Sequence, residues 1–347
     1  MILDGIAAYD LGGTGSAPAL AIDAGGQRWT PYLCRDTLWC CCSDGEPKLV
    51  FAGGSSAVPG QPSIATYPSP DVNGCVGSIV FAVYDTARDS SRILYAKVDS
   101  LRLVLDTIAT SGTLSESLPC VSLASTTVLA TWQNGDSVKV ASLQYGPDDW
   151  NTPGGWSTGS VIDSGAFHPM STFSDGILSV IWASQEKADT FAVFTKTCPT
   201  SGNTFGLWSS ATDQTKEHVH KKTNPVVAGC GVSVWQESTG NKWAIRGSVR
   251  GDTVNIVADN DGSYHPHAIA ESSGTGPSVN TVSVKLLYTE GTAFEVDSGV
   301  YDTGVTKYVV KDYPVSNAAT AATQYNNGCK LMNKGRIRFY ACRLRGR

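Results

Sequence analysis

Two short segments place histidine where proton transfer or ligand binding could occur. His168 in Phe167-His-Pro169 and His265 in Tyr264-His-Pro266 each stand between an aromatic residue and a proline, and imidazole titrates near neutral pH. His267 follows two positions on, so along an extended strand it faces the same way as His265. A His-x-His pair can chelate a metal, but the sequence offers no third ligand and no metal is expected. Histidine and tyrosine with a cation such as Arg35 form the set that removes a proton beside a uronate carboxylate. His168, Tyr264, His265 and His267 are thus the candidate ligand contacts, and Tyr264, His265, His267 and Arg35 the candidate catalytic set. The plainer reading is that aromatic-His-Pro caps a strand and packs a junction. His218 and His220, in Lys216-Glu-His-Val-His-Lys-Lys222, read as a solvated loop.

The elements that must position these residues repeat along the chain. A β-branched alternating run ends on an aromatic residue at Tyr84, Trp132, Trp182, Trp235 and Tyr288, with spacings of 48, 50, 53 and 53. Weaker matches at Trp39 and Met332 extend the series to a mean of about 49, the length of a propeller blade. Upstream of four of these runs lies a proline leading a small-residue strand (Pro119, Pro169, Pro225, Pro266), as expected where strands crowd an axis. Proline at the first position of a strand costs no ladder bond. Downstream lie alternating third strands such as Arg92 to Val98 and Trp243 to Val249, then a variable fourth. The expected fold is all-β: one domain over 1–347, a seven-bladed β-propeller of four-stranded antiparallel blades, with six blades as the alternative. Blade boundaries fall near 15–66, 67–115, 116–165, 166–221, 222–262, 263–315, and 316–347 plus 1–14. Ile6 to Asp10 is expected to pair with Arg336 to Leu344, so that both chain ends close one blade without a free edge. Trp132, Trp182 and Trp235 should lie buried between blades at equivalent positions, and the His-Pro slots on the face that carries the inter-blade loops.

Composition excludes other classes. With 347 residues, 41% hydrophobic, 16% charged and 36 glycines, the chain is too apolar for disorder and too poor in charge for a coiled coil or helical solenoid. Ten cysteines occur with no C-x-x-C pair, so zinc is unsupported and reduced, buried thiols are expected; alternation sends Cys40 and Cys42 to one face and Cys41 to the other. No phosphate-cradling loop, dinucleotide fingerprint or nucleophile elbow is present, and no cofactor is expected. No apolar run reaches the roughly 18 residues of a membrane-spanning helix, and the start lacks a Sec-type signal. Cytosolic synthesis is therefore expected, with a virion or extracellular assembly as destination. Residues 330–347 carry a local +7 against a chain net of −5. Through Arg336, Arg338, Arg343, Arg345 and Arg347 this end could touch an acidic neighbour or nucleic-acid phosphates, although a solvated outer strand is the plainer account and no other nucleic-acid contact is expected.

One segment adds a resemblance. Cys198-Pro-Thr-Ser-Gly-Asn-Thr-Phe205 is similar to the Asp box of sialidase-like propellers, S-x-D-x-G-x-T-W or F, at Gly202, Thr204 and Phe205; Cys198 replaces its Ser and Thr200 its Asp. The proline strand followed by a Trp-ended strand likewise resembles the wider sialidase-like and lectin-like propeller superfamily. The resemblance implies the architecture. A sialidase would further need clustered arginines with a Tyr nucleophile and a Glu partner, whereas five of the 12 arginines lie in the last twelve residues. The expected function is thus a non-enzymatic binding or assembly module for a glycan receptor or protein partner, as in a phage tail. A polysaccharide-active enzyme, lyase or glycosidase, is the alternative.

Overall fold

The computed structural model describes most of residues 19–257, with short breaks of which 68–75 is the longest, and beyond them the strands at 6–7, 263–273, 281–290, 293–302, 307–309, 312–316, 331–334 and 337–340. The chain is all-β, with no helix among the described residues. Its strands form successive antiparallel sheets, each ordered first to fourth along the chain. Sheet I holds Ala21–Ile22, Arg28–Cys34, Thr37–Cys42 and Lys48–Ala52; sheet II holds Ala57–Thr66, Gly77–Asp85, Ser90–Val98 and Leu103–Ser111. Sheet III holds Glu116–Ala124, Thr127–Asn134, Ser137–Gln144 and Ser160–Ser164, and sheet IV holds Ala166–Ser174, Ile177–Lys187, Thr190–Ser201 and Thr204–Phe205, with Thr212–Asp213 added to its third strand. Sheet V holds Lys222–Gly229, Val232–Ser238, Trp243–Val249 and Asp252–Val257, and sheet VI begins Ser263–Ser273, Thr281–Glu290 and Ala293–Asp302. A further sheet joins the two chain ends: Ile6–Ala7 pairs with Ile337–Tyr340, which pairs with Leu331–Lys334. The expected partners meet there, but Ile6 runs parallel to Arg338 rather than antiparallel.

The architecture is of the β-propeller type because the first strands of sheets II to VI lie side by side in chain order, while each sheet turns a whole face to the next. In Gly77–Asp85, Ile79, Phe81 and Val83 pack toward Trp29 and Leu38 of sheet I, whereas Val80 and Ala82 pack toward Trp132 and Val128 of sheet III. Alternation thus buries both faces, which is why the run reads as almost continuously apolar. Trp182 then packs on Leu129 and Val140 of sheet III, and Trp235 on Ile181 and Val193 of sheet IV. The three tryptophans are buried between sheets at equivalent places, as their spacing predicted. The small first-strand residues link the sheets at the inner edge: Val121 N–H donates to Ser63 Oγ at 3.1 Å, and the Ser122 and Ser171 hydroxyls lie 3.3 Å apart. The described cysteines, Cys34, Cys40, Cys41, Cys42, Cys120 and Cys198, form no disulfide, with Cys40 and Cys42 on the core face shared with sheet II.

Each first strand from sheet II to sheet VI carries the same irregularity, and it corrects the sequence reading. Two residues drop out of the ladder with the second strand: Gly60-Gln61, Leu118-Pro119, His168-Pro169, Asn224-Pro225 and His265-Pro266. The prolines do not open their strands; each is the fourth residue of its strand in sheets III to VI. The bulge takes the proline out of the ladder, so its missing N–H costs nothing. Opposite the bulge stand Ala82, Trp132, Trp182, Trp235 and Tyr288. Sheet II thus has alanine at the aromatic position, and Tyr84, two residues on, covers Gly60 instead: a Cβ there would come 2.9 Å from the Tyr84 ring. Trp39 lies in a third strand rather than a second, and Ala57–Thr66, assigned by the boundary at 66 to the first unit, is the first strand of sheet II. Both slips arise at the ends of the repeat, where one aromatic residue was the sole marker. Residues 317–330, within the unit expected over 316–347 plus 1–14, lie outside the described residues.

Candidate functional site

The bulges sit where first strands begin and second strands end, so they share the end of the sheets that carries the connections from one sheet to the next. Leu118, His168 and Asn224 adopt left-handed backbone, with φ of 48°, 53° and 50°. For residues with a Cβ this costs on the order of 1–3 kcal/mol each and persists only where the surroundings enforce it. Side chains supply the enforcement. The His168 peptide N–H, displaced from the ladder, donates to Gln133 Oε1 of sheet III at 3.1 Å, and Gln133 Nε2 donates to the Gly135 carbonyl at 2.7 Å. His168 Nδ1 lies 2.8 Å from Asn224 Oδ1 of sheet V, and Asn224 Nδ2 donates to Gln236 Oε1 at 3.1 Å. A chain of neutral polar groups therefore crosses three sheets. Burial holds the His168 pKa below its usual value, opposed by the Asn224 bond and assisted by Lys221. Burial thus favours the neutral imidazole.

Beside this chain lies a buried charge cluster. Glu237 accepts a bond from Trp235 Nε1 at 3.0 Å and pairs with Lys222 Nζ at 3.7 Å and Arg246 Nε at 3.8 Å. Burial lowers the Lys222 pKa and Glu237 opposes the shift. The cluster clamps the start of the first strand of sheet V, next to Asn224.

Of the residues picked from sequence, His168 occupies the bulge slot of sheet IV and His265 that of sheet VI. Tyr264 and His267 flank the latter, paired with Thr289 and Leu287. The ladder with the second strand shifts register between Tyr264 and His267. Arg35 is exposed in the turn between the second and third strands of sheet I, at φ 57°. Among the described residues no hydrogen bond or ion pair joins it to His168. His218 is not merely solvated: its Nε2 lies 2.6 Å from Asp213 and its Nδ1 3.7 Å from Glu186. Arg336, Arg343, Arg345 and Arg347 lie outside the described residues, while Arg338 sits in the strand paired with Ile6. Among the described residues no cluster of three metal-ligating side chains occurs, and no helix is long and apolar enough to cross a membrane. Sequence reasoning missed Asn224, Gln133 and Gln236. The signal was present: Asn224-Pro225 is a third member of the His-Pro slot, and Trp132-Gln133 and Trp235-Gln236 repeat one dipeptide.

At the opposite end of the sheets a second cluster holds the 145–151 segment. Fully buried Lys97 donates to the Gly146 carbonyl at 2.6 Å and to the Asp149 carbonyl, with its ammonium 4.3 Å from the Tyr145 ring and 4.6 Å from the Trp150 ring. Burial pushes its pKa down to about 8, partly offset by Asp149.

No family model and no curated protein matches the chain. Among solved structures it is similar to a mutant of the Synechocystis apocarotenoid oxygenase, at 9% identity over 82% of this chain and 71% of that one, TM-score 0.43. It is also similar to the GH43 endo-arabinanase from Bacillus licheniformis, at 14% identity over 69% and 96%, TM-score 0.38, and to TolB from Acinetobacter baumannii, at 11% identity over 87% and 64%, TM-score 0.41. These are β-propeller-type folds.

Proposed function

We propose that the chain forms a seven-bladed β-propeller, its seventh blade built from both chain ends, and serves as a non-enzymatic binding or assembly module. Its partner is a glycan receptor or a protein in a virion, phage-tail or extracellular assembly. His168, Tyr264, His265 and His267 supply ligand contacts on the loop face, and no cofactor is called for. The carrying observation is the row of bulge slots along neighbouring first strands. Equivalent positions in five sheets hold Gly60, Leu118, His168, Asn224 and His265. The slot residue thus differs from sheet to sheet, unlike copies of a single sugar site. Neighbouring slots are bonded to each other at 2.8 Å between His168 and Asn224, which supports a preorganised face suited to recognition. Glycan arrays probed with the intact protein and with a His265→Ala, His267→Ala double variant test this reading. Binding by the intact protein and its loss in the variant are expected; unchanged binding would overturn the placement of the site.

A further inference from the structure

The geometry points to His168 as the hydrogen-bond acceptor for a hydroxyl group of a neutral carbohydrate at the loop face. This rests on the binding reading and specifies which atom of the slot row reads the ligand. Asn224 Nδ2 is turned toward Gln236 Oε1, so Asn224 Oδ1 is left to accept, and the proton it receives must sit on His168 Nδ1. In a neutral imidazole that assignment leaves Nε2 with a lone pair and no proton. Nε2 has no hydrogen bond to any described residue, and His168 as a whole is half-buried. The surroundings match an uncharged, hydroxyl-rich ligand. Gln133, Asn224 and Gln236 are amides, and Lys221, on the segment entering sheet V, is the charged group that acts on the imidazole. Phe167 stands edge-on to the ring at 5.4 Å, supplying the apolar surface on which the C–H face of a sugar can rest.

The test combines a spectroscopic readout with binding. Nitrogen-15 NMR of histidine-labelled protein at pH 7.5 should show His168 with Nδ1 protonated and Nε2 unprotonated; the opposite tautomer would overturn the inference. The binding variant is His168→Asn, because Asn224 already fills the equivalent slot at φ 50°, so the backbone is accommodated and the melting temperature should change little. On an array of neutral oligosaccharides, the affinity of this variant should fall about tenfold or more, as expected on losing one hydrogen bond whose partner is left buried. Asn224→Leu, which releases the tautomer without removing the imidazole, should give a smaller loss together with a mixed tautomer spectrum. Glycan binding unchanged in His168→Asn overturns this inference and leaves the binding module standing. No glycan bound by the intact protein overturns this inference together with the glycan-receptor form of that reading, and leaves a protein partner as the remaining form.

Discussion

Replacing Lys97 by Met should change how stability depends on pH, because this ammonium is fully buried and its pKa is depressed from the usual 10.5 to about 8. A depressed pKa means that the unfolded chain binds more protons than the folded one between the two values, so stability rises with pH across that window. The full difference of 2.5 units corresponds to about 3 kcal/mol, and the part realised between pH 7 and pH 9.5 to about 2 kcal/mol. Burial raises the pKa of Tyr67, Tyr95 and Tyr145, the last to about 12. These phenols therefore act in the opposite direction, through ionisation of the unfolded chain near pH 10, and both proteins share that contribution. Urea unfolding followed by tryptophan fluorescence at pH 7, 8.5 and 9.5 isolates the lysine as the difference between wild type and variant. Wild type should gain about 2 kcal/mol relative to Lys97→Met over this range. Parallel pH profiles, or a relative loss by wild type, would refute the assignment of a buried ammonium held by the Gly146 and Asp149 carbonyls.

Other perturbations test the packing between sheets. Trp182→Ala removes a side chain with no exposed surface and should cost about 3–5 kcal/mol in denaturant unfolding; a cost under about 1 kcal/mol would deny its place between sheets III and IV. Glu237→Leu strands the buried Lys222 and should cost a similar amount, about 3–5 kcal/mol. Adding Lys222→Met should recover much of it, and additive losses would break the proposed coupling. Deletion of the first twelve residues removes Ile6 and Ala7, which pair with Arg338 and Phe339, and should lower the melting temperature of the whole domain; an unchanged value would make that segment a dispensable tail.

Much of the architecture was legible because a buried two-faced strand leaves a strong mark. Trp132, Trp182 and Trp235 close such strands and lie where their spacing placed them. The mark fades where the aromatic residue moves, as at Ala82, whose packing role is shared with Tyr84 over Gly60, and at Trp39, a third-strand tryptophan bonded to Thr37. The histidine slot was visible as a dipeptide, but its meaning was not. A two-residue bulge shifts the register on which alternation arguments depend, and the His265-Pro266 dipeptide alone gives no sign of it. The bond from His168 to Asn224 spans 56 residues and depends on two sheets meeting at their inner edges, which no local pattern encodes.

The central claim, that the loop face recognises rather than transforms its partner, is tested most directly by prolonged incubation with uronate-containing and sialylated glycans, monitoring unsaturated products, released sialic acid and new reducing ends. Binding to at least one glycan or assembly partner with no product in any channel is the predicted result. Product formation that disappears in the His265→Ala, His267→Ala variant would contradict the account and make the propeller a polysaccharide-active enzyme.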